Sequence, residues 1–409
     1  MLTSSVLSDI EKRLNTCARV NRLSNELLFR IFAFVAEDYS FRTPMLAEAI
    51  AEGSHRAVNA QSLITLTRIC RRWRGILLNR PRIWTRVDCD NLARLETFAQ
   101  RALTLPLSLL FIDKDESSEF GPELDSDFPD DHPNSRMPEI ERYADRVTRL
   151  DAPSVFTADP TPPRWLFDIS LPSLECLNVS FDTNIQDGTE PEEPEECILL
   201  GVQTLSLKAL ALSWMTPWWY PRNHFPNLTH LCLSYHDNVG AVPLFMFISI
   251  LSRCPALKVF HLHNAPPDEA FPDIPPGMEM PVSLPRLRAA TLTDWDSGMS
   301  LRLLRLLSLP WDRVRIRAGD VDLDSAASYV SNLPILDHAT TFEVRTTPYG
   351  PVHKWCLIRA LAHRHEKTQR VPVLRTVSPG SSSSTLLASH DAFHQRSVCQ
   401  PRRSRAHAG

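Results

Sequence analysis

The spacing of apolar side chains changes near residue 170, and the change divides the chain into two kinds of predicted structure. On the N-terminal side, apolar positions recur at helical spacing. Leu27 and Ile31 form one i, i+4 row, and Leu28 and Phe32 form the row beside it. Since a helix with one buried side needs only one apolar stripe, this helix carries apolar side chains that a second surface must cover.

A second predicted helix covers residues 62–78 and ends before Pro81. Its four arginines lie mostly on the side away from its apolar stripe, where we expect solvent rather than nucleic acid. Ile83 and Trp84 follow as further apolar anchors. Two or three short helices cannot bury this many large side chains among themselves, so part of the surface must contact the rest of the chain or a partner. The apolar stripe of the predicted helix 62–78 consists of Leu66, Ile69, Cys70, Trp73 and Leu77.

Beyond residue 170 the motif x-P-x-L-x-x-L-x-L recurs at intervals in the high twenties. Its alternating leucines predict a short strand with one side facing a core, and the apolar runs at 243–254 and 299–309 predict helices between the copies. One strand and one helix cannot bury an apolar side alone, so the copies are expected to stack into an α/β array of parallel strands and helices. We expect the array to span residues 171–374, with a degenerate copy at 333. The anchors of the first five copies are Leu174, Val202, Leu228, Leu257 and Leu287.

Side chains between the inward leucines point to the opposite side of the predicted sheet. They are small, polar and almost uncharged, which suits recognition of a protein better than binding of phosphate. His261 and His263 share this side, but no carboxylate or cysteine accompanies them at a fixed spacing, so no metal site is predicted. The central row, predicted to bind a target, consists of Asn178, Ser206, Cys232, His261 and Thr291.

Net charge and the spacing of cysteines indicate which partners, compartment and thiol chemistry to expect. With 44 Lys and Arg against 48 Asp and Glu, the net charge of −4 argues against a chain-wide nucleic-acid or membrane-surface role. No run approaches a transmembrane span and no secretory signal is visible, so we expect an intracellular protein of the cytoplasm or nucleus. The nine cysteines never fall as C-x-x-C or pair with histidine at zinc spacing, so we predict reduced thiols and no metal or cofactor.

No catalytic motif is visible in the sequence. The twelve glycines form neither G-x-G-x-x-G nor G-x-x-x-x-G-K-[ST], and G-x-S-x-G and H-E-x-x-H are absent. One arrangement leaves a hydrolase open, because Cys232 and His261 fall on neighbouring predicted strands, which lie about 4.8 Å apart. No oxyanion-hole element is visible beside them, so we expect the protein not to be an enzyme.

The N-terminal residues resemble the F-box. Residues 23–32, Leu-Ser-Asn-Glu-Leu-Leu-Phe-Arg-Ile-Phe, follow the first half of that family's pattern, and "RICRRWRGILLNRPRIW", residues 68–84, is the most specific part of the second half. Two features depart from the family. Ser24 stands where proline is usual, and the gap 37–61 is longer than usual. The later copies resemble leucine-rich repeats, although they lack the usual asparagine turn.

These resemblances imply a substrate-recognition receptor of a cullin-RING (SCF-type) ubiquitin ligase. The box would dock on the adaptor subunit that links the receptor to the cullin, and the repeats would form a curved solenoid that holds a target protein. One side of the first helix would then pack inside the box and the other on the adaptor. The alternative is a repeat scaffold for protein–protein interaction without ubiquitin transfer. The positions implied for adaptor binding are Leu23, Leu27, Leu28, Ile31, Phe32, Phe34, Ile69, Cys70, Trp73, Leu77 and Trp84.

Composition shifts along the chain predict its division into segments. Two acidic stretches and a serine-rich, then basic C-terminal stretch lack periodicity and are expected to be disordered. The predicted segments are a lead helix or tail at 1–20, an F-box-like domain at 21–88 with an insertion at 37–61, a connector at 89–170 with a disordered acidic loop at 113–135, the array at 171–374, and a disordered tail at 375–409.

Overall fold

The computed structural model describes the chain in separate stretches. The acidic loop and most of the insertion and of the lead segment lie outside these stretches, so the predictions made for them stay predictions. The described residues are 13, 17–37, 60–89, 92–111, 140–157, 165–183, 195–201, 204–215, 219–235, 244–263, 281–293, 297–310, 314–319, 341–349, 353–361, 373–377 and 384–387.

Helices dominate the N-terminal part of the described chain and then alternate with strands. Short 3₁₀ turns at Arg19–Arg22, Pro81–Trp84 and Ala144–Arg146 supplement them. None of the described helices is long and apolar enough to cross a membrane. The α-helices are α1 (Asn25–Glu37), α2 (Ala60–Ile69), α3 (Arg71–Leu78), α4 (Leu92–Arg101), α5 (Trp165–Asp168), α6 (Leu244–Ser252) and α7 (Ser297–Arg305).

The described strands form one large sheet and two small two-stranded sheets. The strands are β1 (Arg86–Asp88), β2 (Leu107–Leu110), β3 (Val147–Thr157), β4 (Cys176–Thr183), β5 (Glu195–Cys197), β6 (Ala209–Met215), β7 (Trp219–Pro221), β8 (His230–Tyr235), β9 (Val259–His263), β10 (Val282–Ser283), β11 (Ala289–Thr293), β12 (Leu307–Ser308), β13 (Arg315–Gly319), β14 (Thr341–Tyr349), β15 (His353–Leu361), β16 (Val373–Val377) and β17 (Ser384–Leu387).

The large sheet adds its strands in chain order along one direction. Its first nine strands in space are β1, β2, β3, β4, β6, β8, β9, β11 and β13, and every neighbouring pair among them is parallel. Helix α6 lies inside the first of the two apolar runs predicted to be helical, and α7 overlaps the second but begins two residues before it. The α/β class with a large parallel sheet, predicted from the alternating leucines, is therefore confirmed.

The same turn precedes five of the parallel strands. Its position before the second of them shows that one predicted register was wrong. In each turn the N–H of an anchor residue donates to the carbonyl three residues earlier, at 3.0 to 3.3 Å, and a strand begins two residues later. The predicted second anchor, Val202, lies outside the described residues. The strand of that copy begins at Ala209, and the buried pair Leu210 and Leu212 supplies its inward side. That copy lacks the proline of the motif, so the pattern alone fitted two positions. The observed anchors are Leu174, Leu207, Leu228, Leu257 and Leu287.

The sheet extends beyond the predicted array at both ends. Strands β1, β2 and β3 precede residue 171. The segment expected to be a connector supplies β2 and β3, and the end of the predicted F-box-like domain supplies β1. The copy predicted at 333 does not continue the parallel order, since β14 follows β15 in space and pairs with it antiparallel. Part of the tail expected to be disordered is extended, because Ser384–Leu387 pairs antiparallel with β16.

One continuous hydrophobic core runs from the N-terminal helices along the sheet, from Leu28 to Ile316. Trp84 connects its two parts and is completely buried. Its indole N–H donates to the Leu77 carbonyl at 3.0 Å, and its ring meets Phe98 of α4 edge-on with 4.9 Å between centroids. The N-terminal helices and the sheet therefore share a core.

The helix predicted over residues 62–78 is broken at Cys70. This residue has an extended backbone, with φ −158° and ψ 164°, and its Sγ accepts a hydrogen bond from the Trp73 N–H at 3.5 Å. A side chain that accepts from a backbone N–H at this position is a helix N-cap. The predicted single helix is therefore two helices, α2 and α3, that meet at a capped corner.

Candidate functional site

The apolar rows of α1 separate into a buried and an exposed set. Leu28 and Phe32 are buried to within 1%, whereas Leu27, Ile31 and Phe34 are 47%, 44% and 67% exposed. Ile69, on the contacting helix α2, is 47% exposed. We call these four residues, Leu27, Ile31, Phe34 and Ile69, the exposed apolar face.

Local structure holds α1 in place beneath this face. Ser24 caps the helix, because its Oγ accepts from the Leu27 N–H at 3.3 Å and its carbonyl accepts from the Leu28 N–H at 3.0 Å. The Trp73 ring lies 4.7 Å from the Phe32 ring, and the Trp73 indole N–H donates to Asn21 Oδ1 at 2.7 Å. The serine that stands in place of proline therefore starts the helix by another means.

The structure divides the eleven positions implied for adaptor binding by their accessibility. Leu28, Phe32, Leu77 and Trp84 are core residues, so direct contact with a partner is excluded for them in this conformation. They belong to the continuous hydrophobic core, in which Phe32 packs on Trp73 and Trp84 packs on Phe98. Four positions form the exposed apolar face, and the half-buried ones are Leu23, Cys70 and Trp73.

Arg72 holds the N-terminal turn against α3, a role that sequence reasoning missed by placing the arginines in solvent. Its guanidinium donates to Asn25 Oδ1 at 2.8 and 3.0 Å, to the Leu23 carbonyl at 2.7 Å and to the Asn21 carbonyl. Such a fork satisfies several acceptors at once. The adjacent Trp73 bonds to the same turn, and no spacing rule in the sequence identifies this pair.

The side of the sheet opposite the core carries the row predicted to bind a target. Register pairs place Asn178, Ala211, Cys232, His261 and Thr291 side by side on five neighbouring strands. We call these five residues the polar sheet row. Asn178, His261 and Thr291 are half-buried, so they remain accessible to a ligand.

Two predicted members of the row need correction. Ser206 lies in the turn before β6, where its Oγ donates to the Pro172 carbonyl at 2.7 Å, and Ala211 takes its place. This follows from the misplaced anchor of the second copy. Cys232 does lie in the row but is buried to 1%, packed in a small cluster with Ala209 and Ala211.

An ion pair extends this row at the β3 end. Arg149 Nε lies 2.5 Å from Asp151 Oδ2, and Asn178 Nδ2 donates to Asp151 Oδ1 at 3.2 Å. Asp151 is 2% exposed, and burial of a carboxylate is tolerated when a cation and hydrogen bonds compensate its charge. Sequence reasoning missed the pair because β3 was assigned to a connector; the Arg-x-Asp spacing on a strand was the available signal.

Histidines occupy the middle of this side of the sheet. The rings of His261 and His263 stack with centroids 6.2 Å apart, and the Nδ1 atom of His263 shares a hydrogen bond with Thr293 Oγ1. Burial, together with the neighbouring His261, lowers the pKa of His263 to about 4. Within the described residues, no three His, Cys, Asp or Glu side chains are grouped to hold a metal ion.

The geometry does not favour a Cys232–His261 hydrolase. The two residues are direct register partners on β8 and β9, as the sequence suggested. Burial, however, raises the pKa of the Cys232 thiol to about 12. Since the thiolate is the nucleophile, a thiol with this pKa is almost entirely protonated and unreactive near neutral pH.

Alkylation of the native protein tests this point. Iodoacetamide at about pH 8 is expected to label the exposed Cys17 readily and to leave Cys232 and Cys254 unlabelled, because burial raises both of their pKa values to about 12. Mass spectrometry of tryptic peptides measures the three rates. Labelling of Cys232 as fast as that of Cys17 would contradict the burial and reopen the hydrolase hypothesis.

No family model matches the sequence, and no curated protein matches it. The exposed apolar face and the polar side of the sheet therefore carry the functional conclusion.

Proposed function

We propose that this protein is an F-box substrate receptor of a cullin-RING (SCF-type) ubiquitin ligase. Helices α1 to α3 form the box and dock on the adaptor subunit, and the parallel sheet belongs to a leucine-rich-repeat-like solenoid that binds a target protein. The observation that carries the proposal is the exposed apolar face. It leaves four large side chains uncovered on α1 and α2, although Leu28, Phe32 and Leu63 on the same helices are buried.

The exposed apolar face suits a protein partner better than solvent. Helix α1 is fixed in position, because Phe32 on its buried side packs against Trp73 and Arg72 bonds to the turn where the helix begins. The apolar side chains on its exposed side are therefore held in one arrangement. Rigid apolar side chains on a preorganised helix make effective interface anchors, because little conformational entropy is lost when they bind. In this proposal Leu27, Ile31, Phe34 and Ile69 contact the adaptor.

The sheet supports the second half of the proposal. Its nine parallel strands follow chain order, and each of five turns positions its strand by the same backbone hydrogen bond, as expected of stacked repeats. The half-buried side chains Asn178, His261 and Thr291 offer donors and acceptors without net charge for target binding.

The protein itself performs no chemistry in this proposal. It holds a target near the ligase's ubiquitin carrier and so raises the local concentration of the target's lysines. The docking helices and the target-binding sheet share one continuous hydrophobic core. The adaptor and the target are therefore held in a fixed position relative to each other. The setting is intracellular, in the cytoplasm or nucleus.

The alternative is a repeat scaffold without ubiquitin transfer, in which the sheet binds a protein but the helices do not dock on the adaptor. It is favoured if the exposed apolar face meets a protein other than the adaptor. Direct binding of purified chain to purified adaptor distinguishes the two, since only the receptor requires that complex.

Docking is tested by placing charge on the exposed apolar face. The double variant Leu27→Asp/Phe34→Asp is expected to lose at least about a hundredfold in affinity for the adaptor, because both side chains serve as buried anchors in the complex. Biolayer interferometry with the recombinant adaptor measures the loss. Since both residues are exposed in the free chain, its thermal midpoint should change little.

Arg82→Asp is the matched control, because Arg82 is an exposed position on the 3₁₀ turn Pro81–Trp84, outside the exposed apolar face, and the substitution also introduces an aspartate. It should bind the adaptor within a few fold of wild type. Failure of the wild-type chain to bind the adaptor, or equal loss in the control, would remove the receptor from consideration and leave the scaffold.

A further inference from the structure

Four cationic side chains line one cleft at the side of the sheet where strands β9, β11 and β13 begin. Lys258, Arg286, Arg288 and Arg315 line a space of about 730 Å³ beside Pro285 and Ala289. Three of the four cations are exposed and Lys258 is half-buried. We call this the basic cleft.

Backbone hydrogen bonds arrange three of these cations in a row. The Arg315 N–H donates to the Arg288 carbonyl at 2.9 Å, and the Arg288 N–H donates to the Lys258 carbonyl at 2.8 Å. The Lys258 N–H donates in turn to the Thr229 carbonyl at 2.9 Å. The three side chains therefore start from neighbouring strands of a fixed ladder, with about 4.8 Å between successive strands.

The charge of the basic cleft is not compensated within the described residues. No ion pair or hydrogen bond of these four side chains is present there, whereas Lys208, further along the same edge, pairs with Glu175 at 2.6 Å. The positive charge of Lys258 contributes, after burial, to lowering the pKa of His230 on the next strand. Four like charges on a fixed frame repel one another, and an anion that enters the cleft relieves that repulsion.

The length of the row favours several negative groups over one. Two strand spacings separate Lys258 from Arg315 at the backbone, about 10 Å, which is more than one phosphate group covers. Alternate side chains of an extended peptide lie about 7 Å apart on one side, so two or three carboxylates match the row. Arginine accepts carboxylates through two parallel hydrogen bonds, which adds geometric selectivity.

Nucleic acid fits the basic cleft less well. A strand of nucleic acid carries charges continuously and needs a long basic track, but beyond Lys258 the same edge continues with Thr229 and the neutralised Lys208. Among its described lining residues, the cleft also offers no aromatic side chain on which a base could stack.

We propose that the basic cleft binds an acidic segment of the target protein, in extended conformation, through clustered aspartate or glutamate side chains. The inference rests on the proposed function in taking that segment to belong to the target, and it adds a charge requirement to recognition by the polar side of the sheet. Adaptor docking through the exposed apolar face plays no part in it.

The test uses the full chain and a fluorescent peptide of about ten residues with glutamate at every second position. Anisotropy should show saturable binding that weakens strongly between about 0.05 M and 0.5 M salt, because an exposed cleft is screened. A matched peptide with glutamine in place of glutamate should not bind. Arg288→Glu should weaken binding of the glutamate peptide at least about tenfold.

Two further variants keep the result interpretable. Arg286→Glu, at an exposed turn position, should reproduce the loss if Arg288→Glu proves unstable in a thermal melt. Arg302→Glu, an exposed cation on α7 outside the basic cleft, should bind as wild type does. All three variants should retain wild-type affinity for the adaptor, so failure of this inference is separated from failure of the receptor proposal.

Three results would overturn the inference. They are equal binding of the glutamate and glutamine peptides, equal weakening by Arg302→Glu, and binding only of a singly phosphorylated peptide or of an oligonucleotide of similar length. The last result would show that the cleft takes an anion, but not the acidic peptide assigned to it.

Discussion

Replacing Trp84 with alanine is expected to lower the free energy of unfolding by about 4 kcal/mol, within the range measured for large aromatic side chains removed from protein cores. Trp84 is completely buried, so the substitution leaves a cavity at the position where the N-terminal helices meet the sheet. The loss combines three contacts: the hydrogen bond to the Leu77 carbonyl, the edge-on ring of Phe98, and the Arg101 guanidinium 4.4 Å from the ring centroid.

Chemical denaturation followed by circular dichroism measures this loss. Trp84→Phe should cost less, because it keeps much of the buried area and loses the indole N–H. Leu92→Ala on the adjoining helix α4 is the matched control, since Leu92 is 41% exposed, and it should cost well under 1 kcal/mol. Equal effects of Trp84→Ala and Leu92→Ala would contradict a core shared between the helices and the sheet.

This shared core has a consequence for the two proposed surfaces. Because Trp84 is buried between the helices and the sheet, the box does not have a separate core of its own. A destabilised Trp84→Ala chain should therefore lose adaptor binding and acidic-peptide binding together as it unfolds. Substitutions on the exposed apolar face and in the basic cleft should instead separate the two activities.

The sequence predicted the excess of apolar side chains on α1 but not which of them is exposed. Two neighbouring apolar rows are equivalent in a helical pattern, and only packing against Trp73 decides that Phe32 is inside and Ile31 outside. The resemblance to the F-box placed Trp84 and Leu77 at a partner surface. The burial of Trp84 depends on Phe98 of α4, a helix in the segment that the sequence assigned to a connector.

Strand register was predictable where proline marks the turn and failed where it is missing. The anchors Leu228, Leu257 and Leu287 follow a proline and lie where the pattern placed them. Leu207 does not follow one, and the closely spaced leucines around it fit two registers. A register error of this kind moves the predicted surface residue, and Ser206 was predicted in place of Ala211 for that reason.

Charge at the sheet edge was hidden from sequence reasoning because its members are far apart in the chain. Lys258, Arg288 and Arg315 are separated by 30 and 27 residues, so no single stretch of sequence contains all three. Only the ladder of backbone hydrogen bonds brings them side by side. A chain whose net charge is only −4 can therefore still form a locally basic cleft.

Lowering the pH from about 6.5 to about 4 is expected to remove up to about 3 kcal/mol of stability through His263 alone. Burial holds the pKa of this imidazole at about 4, whereas the unfolded chain titrates near 6.5. Between these two values the unfolded chain binds a proton that the folded chain does not. Stability from His263 is therefore complete above pH 6.5 and falls as the pH decreases toward 4.

The structural cause is that the imidazolium would have a donor without an acceptor. The Nδ1 atom of His263 shares its hydrogen bond with Thr293, and the Nε2 atom is buried with no partner in the described part of the chain. Protonation of either tautomer leaves an Nε2–H unpaired, next to the ring of His261, which also opposes the charge. An unpaired buried donor and a buried charge both favour the unfolded chain.

Urea denaturation at several pH values, compared between wild type and His263→Gln, isolates this contribution. Glutamine keeps a polar side chain beside Thr293 and does not titrate, so the variant should lose less stability than wild type between pH 6.5 and 4. Carboxylates and the other histidines titrate equally in both chains, and the difference between the two curves removes them. Parallel curves would mean that His263 accepts a proton in the folded chain, and therefore that water reaches this side of the sheet.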